Sequence, residues 1–231
     1  MVITVPGSAV LTHIRLPCTL VANGCSQAGK STFIHNLLIN HGQMFDKPVS
    51  KIVYCYTIWC YEYNELRDRL GDMIEFRKDF PSQTEICDYW EAHGSEVICV
   101  CDDKMQEFLE DTHTGKALLL VATTLAHHAH FSLFLTVQNL FHGSKVARGI
   151  SLNSHYFCIF RNPRGVDQVK RFGQQVLPGF SEYFMSSYFK AIEENYSYLF
   201  VDLSPHSDPR FKLKSQILPG QQLLIYLPDR K

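Results

Sequence analysis

Eight consecutive residues, Gly24-Cys25-Ser26-Gln27-Ala28-Gly29-Lys30-Ser31, carry the spacing G-x-x-x-x-G-K-[ST]. That spacing belongs to a loop that cradles phosphate groups. Its backbone N–H groups wrap one anion, and the positive end of the following helix faces the same point. Lys30 would then reach the β- and γ-phosphates of a nucleoside triphosphate, Ser31 would hold Mg²⁺, and Thr32 would close the binding segment. The surroundings suit this. Leu20-Val21-Ala22 is a short apolar run, and apolar residues recur at helical spacing from Ser31 to Ile39, giving strand, loop and helix in the required order.

Such a site needs an acid at the end of a buried strand. Val97-Ile98-Cys99-Val100-Cys101 reads as that strand, and Asp102-Asp103 end it. Asp102 is expected to hold Mg²⁺, directly or through water, and Asp103 to polarise an attacking water as general base. A solvated acidic strand end is the plain alternative, and the loop upstream argues against it. Gln138 ends the next apolar strand, Phe131–Val137. A neutral amide there can orient water and sense the γ-phosphate, although strand-end glutamines are also ordinary. Arg148, Arg161 and Arg164 cluster late in the chain. An arginine offered to a neighbouring subunit's γ-phosphate is a recurring device, with surface ion pairs as the alternative. His127, His128 and His130 lack a Cys or acidic partner at ligand spacing, so they read as a helix-to-strand corner rather than a metal site.

Short apolar strands alternate with helical stretches along most of the chain. Strands are predicted at Cys18–Asn23, Lys51–Tyr56, Met73–Phe76, Glu96–Cys101, Phe131–Val137, Ser154–Phe160 and Ser197–Leu203. Helices are predicted to Asn40 after the loop, at Tyr61–Leu70, at Gln83–Ala92, over 104–127 with a break near Thr114-Gly115, and at Gly165–Gln175 and Ser181–Glu194. This pattern argues for an α/β fold, a mostly parallel sheet with helices on both faces, and places ligands at the carboxyl ends of the strands. One domain of 231 residues is expected, with a core over about 15–203 and a less patterned extension over 204–231. A hydrophobic content of 45% against 19% charged residues is enough for a full core and excludes wholesale disorder. A net charge of −1 shows no broad cationic surface in the total.

The eight cysteines contain no Cys-x-x-Cys pair, and most lie in strand-like runs. Reduced thiols in an intracellular protein are expected, and a virion or organelle interior would look the same. No leader pattern and no apolar run near the roughly 20 residues of a membrane span is present.

These pieces together resemble the FtsK–HerA superfamily of ring ATPases. The likeness is greatest to its viral branch, the genome-packaging ATPases of poxviruses, Polinton-like elements and adintoviruses. It is carried by Gly24–Ser31, Val53-Tyr54-Cys55-Tyr56, Asp102-Asp103, His127-His128, Thr136-Val137-Gln138-Asn139-Leu140-Phe141, Arg148, Ile150-Ser151-Leu152-Asn153-Ser154-His155-Tyr156, Asn162-Pro163-Arg164 with Gln168, Val201-Asp202-Leu203 and Pro205. The resemblance implies a RecA-like (ASCE) P-loop NTPase that binds ATP and Mg²⁺. It implies a homo-oligomeric ring, a hexamer or pentamer, that drives double-stranded DNA into a preformed capsid and docks on a capsid or portal-vertex protein, with no membrane partner. It makes Gln138 a sensor and Arg148 the arginine finger, with Arg161 and Arg164 as fallbacks. Three positions depart from the pattern: Gln27 where glycine is usual, Cys25 where proline is frequent, and Lys104 where an apolar residue is usual. A nucleotide kinase shares the loop but needs an acceptor pocket and an Arg-rich lid, and no clear lid is visible. No Asn-Lys-x-Asp guanine motif occurs. A non-hydrolysing nucleotide-binding assembly subunit is the remaining alternative. The basic tail residues Lys212, Lys214, Arg230 and Lys231 read as a solvated end that could contact DNA.

Overall fold

The computed structural model describes residues 2–5, 13–104, 107–108, 111–125, 129–140 and 144–228. His127, His128, Phe141, Arg230 and Lys231 lie outside them. The alternation of strands and helices builds one sheet of ten strands among the described residues. These are β1 (Val2–Val5), β2 (Thr19–Asn23), β3 (Val49–Cys55), β4 (Ile74–Arg77), β5 (Glu96–Cys101), β6 (Phe131–Val137), β7 (Tyr156–Phe160), β8 (Tyr198–Asp202), β9 (Leu213–Ser215) and β10 (Leu223–Tyr226). Their order is β1-β10-β9-β8-β7-β2-β6-β5-β3-β4. The six strands from β7 to β4 are parallel, and the four on the other side of β7 are antiparallel.

Period-two burial sorts the side chains of the parallel strands between two cores. Leu20, Ile52, Ile98 and Phe134 face one core, shared with helices α1 (Lys30–Ile39) and α2 (Glu62–Leu70). Val21, Val53, Cys99 and Leu133 face the other. There they pack with α3 (Gln83–His93), α4 (Thr112–Leu120), α5 (Lys145–Leu152), α6 (Val166–Val176) and α7 (Ser181–Ala191). Helices therefore cover both faces, as the sequence pattern predicts.

Local chemistry explains the boundaries. Ser82 and Glu85 form a reciprocal capping box that starts α3. Asp111 accepts from the backbone N–H groups of His113 and Thr114 and starts α4. This corrects one expectation: Thr114-Gly115 lie in the first turn of α4, not at a break. Helix α5 was not expected at all. Ser144 caps it through the N–H of Ala147 at 3.0 Å. All eight cysteines are free thiols. Cys55, Cys99 and Cys101 bring their sulfurs within 4.8 Å of one another on the buried face of β3 and β5.

The segment after 204 is more ordered than its composition suggests, because β9 and β10 extend the sheet. Lys214 is not a solvated end residue. It is buried and ion-paired to the equally buried Asp202 at 2.9 Å. Asp202 also accepts from the Ser204 N–H at 3.1 Å and the Ser207 hydroxyl at 2.7 Å. Removing the Lys214 ammonium would leave a buried carboxylate without its cation, so Lys214→Ala should cost about 3–5 kcal/mol in a urea unfolding titration.

Candidate active site

Strand β2 delivers the phosphate loop, β5 delivers Asp102-Asp103, and β6 lies between them. The loop keeps its shape through close backbone approaches. A Cβ on Gly24 would lie 2.7 Å from the Cβ of Phe160 in β7, so only glycine fits there. Gly29 stands at φ +100° and directly precedes α1. Gln27, the departure from glycine, takes the left-handed backbone itself, at φ +62°. The loop geometry is retained at a conformational cost of about 1–2 kcal/mol. Cys25 replaces the frequent proline and donates its thiol to the Arg161 carbonyl at 3.3 Å. No side chain caps the N-terminus of α1, and its first turn holds no acid. Its leading N–H groups are thus left for an anion.

Lys30 is buried within the loop. Its ammonium donates to the carbonyls of Gly24 at 3.1 Å and Cys25 at 2.9 Å. The next residue turns the other way. Ser31 Oγ donates to Asp102 Oδ1 at 2.9 Å, which joins the loop to the acidic strand. The edge of an octahedron with Mg²⁺–oxygen bonds of 2.0–2.1 Å is also about 2.9 Å, so this pair of hard oxygens fits that ion.

Asp102 is the hub of a network that the sequence did not reveal. Its Oδ1 also accepts from Thr136 Oγ1 at 2.8 Å. Its Oδ2 accepts from the hydroxyls of Tyr54 at 2.7 Å and Tyr63 at 3.2 Å. Thr136, on the same strand that leads to Gln138, accepts from the Asp103 N–H at 2.8 Å and so fixes both carboxylate residues. Tyr54 gives its proton to Asp102, so its oxygen takes the proton of His35 Nε2 at 2.9 Å. Burial lowers the pKa of His35, with Asp102 pulling the other way, and the ring is neutral at pH 7. Burial and the Asp102 charge push the Tyr54 and Tyr63 phenols above their ordinary range, which keeps both as donors. Tyr54→Phe would leave His35 Nε2 unpaired and remove one donor from Asp102. It should lower unfolding stability by about 1–3 kcal/mol in a urea titration.

Asp103 stands at φ +51°, an uncommon backbone for a side chain and one that clusters at functional sites. Its outer side is exposed. Loss of water around its carboxyl raises the pKa above the ordinary aspartate range, and Asp102 adds to this. Lys30 and a hydrogen bond from Gln138 pull the other way. Gln138, Lys30 and Asp103 are therefore neighbours. Ser31, His35, Tyr63, Asp102 and Asp103 line an open cavity of about 460 Å³, with room for a terminal phosphate and a water.

The B204 DNA-packaging ATPase of Sulfolobus turreted icosahedral virus matches over 80% of this chain and 92% of its own, with a TM-score of 0.54 and 15% identity. The B204 genome-packaging NTPase of Sulfolobus turreted icosahedral virus 2, in complex with sulfate, matches over 93% of this chain and 98% of its own, with a TM-score of 0.52 and 15% identity. The same NTPase in complex with ATPγS gives a TM-score of 0.50 at 16% identity over 80% and 92% of the two chains. The fold is that of a P-loop ATPase. No protein-family model and no curated protein matches the sequence.

In this P-loop ATPase fold the three arginines separate. Arg148 lies exposed on α5 and Arg164 is exposed after β7. Arg161 is committed within its own chain. Its guanidinium donates to the Ile192 and Glu193 carbonyls at 2.7 and 2.8 Å, where α7 ends. It serves as a helix C-cap and drops out as a finger. Lys104, the third departure, is buried and paired to Glu107 at 2.7 Å. Among the three histidines read as a corner, only His130 lies within the described residues. It bonds Glu96 at 2.9 Å and stacks on Trp90 at 4.0 Å, in keeping with a polar corner.

Proposed function

We propose that this chain is an ATP-hydrolysing translocase that packages viral double-stranded DNA into a capsid, working as a homo-oligomeric ring. The observation that carries the hydrolytic part is the Ser31–Asp102 contact, with Asp103 lining the same cavity and Gln138 hydrogen-bonded to Asp103. Loop N–H groups, α1 and Lys30 would hold the triphosphate. Ser31 and Asp102 would hold Mg²⁺, which when bound supplies charge neutralisation on the β- and γ-oxygens. Asp103 would take the proton of the attacking water, and Gln138 would orient that water. The DNA-packaging part draws on the fold shared with the viral packaging ATPases and on the sequence blocks that resemble that group. No helix among the described residues is long and apolar enough to cross a membrane.

The deciding experiment is ATP hydrolysis by the full chain with and without long double-stranded DNA, beside Lys30→Ala as blank. Stimulation by DNA supports the motor. Hydrolysis indifferent to DNA, or phosphate transfer to a small acceptor, would overturn it. Exposed Arg148 is assigned to the γ-phosphate of the neighbouring subunit. Arg148→Ala should lose turnover, and mixing it with Asp103→Asn should restore part of it, because some interfaces then pair an intact base with an intact arginine. No recovery in the mixed rings, measured as phosphate release, would transfer the role to Arg164.

A further inference from the structure

A second cavity flanks the phosphate loop. It lies on the β7–β8 side of β2, opposite the cavity that contains Asp102 and Asp103. Its volume is about 300 Å³, and Thr32, at the start of α1, lines both cavities. The remaining walls are Gly29, Phe33 and Asn36 from the loop and α1, Tyr196 and Tyr198 around the start of β8, and Leu218 with Gln221 from the β9–β10 turn. None of these residues is charged, so the cavity does not suit a phosphate. We infer that it binds the base of the bound nucleotide, an adenine, with Tyr196 as the stacking platform. The inference rests on the ATP-hydrolysis reading and extends it.

Tyr196 is the first reason. It is 73% exposed, so its ring is open to a ligand from solvent. Its backbone stands at φ +62°, a strained conformation for a non-glycine residue. The ring nevertheless lies against the phosphate loop, because a Cβ on Gly29 would sit 3.3 Å from its Cβ and 3.4 Å from its Cδ1. An open aromatic face fixed beside a phosphate cradle is placed to stack on a planar group carried by that phosphate. Phe33, Tyr198 and Leu218 supply apolar wall, with the Phe33 and Tyr198 rings 4.7 Å apart.

The polar groups are the second reason. Asn36 Nδ2 donates to the Thr32 carbonyl at 2.9 Å, which leaves its Oδ1 as an open acceptor. Gln221 Oε1 accepts from the Leu218 N–H at 3.2 Å and the Tyr198 hydroxyl at 3.4 Å, which leaves its Nε2 as an open donor. One acceptor and one donor complement adenine, whose amino group lies beside an acceptor ring nitrogen. On this reading the β9–β10 turn closes the base pocket.

The test is calorimetric titration of the full chain with Mg²⁺ and ATP, GTP or inorganic tripolyphosphate. Tyr196→Ala should weaken ATP about 5- to 150-fold, the range of one base–aromatic stack, and leave tripolyphosphate unchanged. Tyr196→Phe should restore ATP affinity, and wild type should prefer ATP to GTP. ATP binding unchanged in Tyr196→Ala, or tripolyphosphate weakened equally, would overturn the base pocket. Equal ATP and GTP affinity would overturn the adenine assignment. Lys30→Ala should lose both ATP and tripolyphosphate. If wild type binds neither, it is the nucleotide reading that falls.

Discussion

Lys30→Ala should lower ATP affinity and turnover by at least about 100-fold, the loss typical of removing one charge-stabilising donor from a site of this kind. Its ammonium sits within the loop, 3.1 and 2.9 Å from the Gly24 and Cys25 carbonyls. Those carbonyls hold the cation at the mouth of the loop. A bound triphosphate would offer stronger, charged acceptors and draw it away. Alanine removes this cation and leaves the Gly24 carbonyl short of a donor, while the Cys25 carbonyl keeps the Ala28 N–H at 3.3 Å, at an expected cost of about 1–3 kcal/mol in fold stability. Lys30→Arg separates the two effects. It keeps a positive charge, but its planar fork replaces a compact point charge. It should fold normally in a urea titration and still hydrolyse ATP slowly. Wild-type turnover in Lys30→Ala would show that the measured hydrolysis does not come from this loop.

Local chemistry was legible where it is contiguous in sequence. The phosphate loop, the Asp102-Asp103 strand end and Gln138 each announce themselves within a few residues, and parallel strands buried on both faces read as apolar runs. The network around Asp102 was not legible, because it is assembled across the sheet. Tyr54 comes from β3, Tyr63 from α2, Thr136 from β6 and His35 from α1. A tyrosine in the apolar run Val53–Tyr56 looks like core, and only strand order shows that its hydroxyl meets a carboxylate. Helix α5 was missed because it spans only eight residues and its stripe is no more than Val146, Gly149 and Ile150, too short to announce a helix. Strands β9 and β10 are three and four residues long, flanked by proline and glycine. Such segments become strands only by pairing with β8 and β1, a tertiary effect that local propensity does not carry. The same blindness hid Lys214. A lysine in a polar tail reads as solvated until Asp202 is brought to it.

Asp103→Asn is expected to bind ATP as wild type does and to hydrolyse it about 10²- to 10⁴-fold more slowly, the usual contribution of a general base. The neighbouring hub explains why binding should survive. Asp102 keeps Ser31, Thr136, Tyr54 and Tyr63, and an asparagine at 103 keeps the backbone N–H that Thr136 accepts. Asparagine also tolerates the left-handed backbone at this position better than most side chains. Stability should move in the opposite direction to activity. Asp103 has a folded-state pKa above its ordinary value, chiefly because its carboxyl loses water. The folded chain therefore binds this proton more tightly than the unfolded chain, and ionising Asp103 at pH 7 costs stability. Asparagine removes that cost. In EDTA, Asp103→Asn should unfold at a urea concentration equal to or above that of wild type at pH 7. The difference should shrink as the pH falls below the ordinary carboxylate range, about 4. In kcat/KM, which reports the free protein, the same shift places the acid limb above the pH expected for an unperturbed aspartate, since the base must be ionised to act. A variant both inactive and less stable at pH 7 would make Asp103 a structural residue. One that is inactive and no less stable identifies a carboxylate held in an unfavourable state for its chemistry.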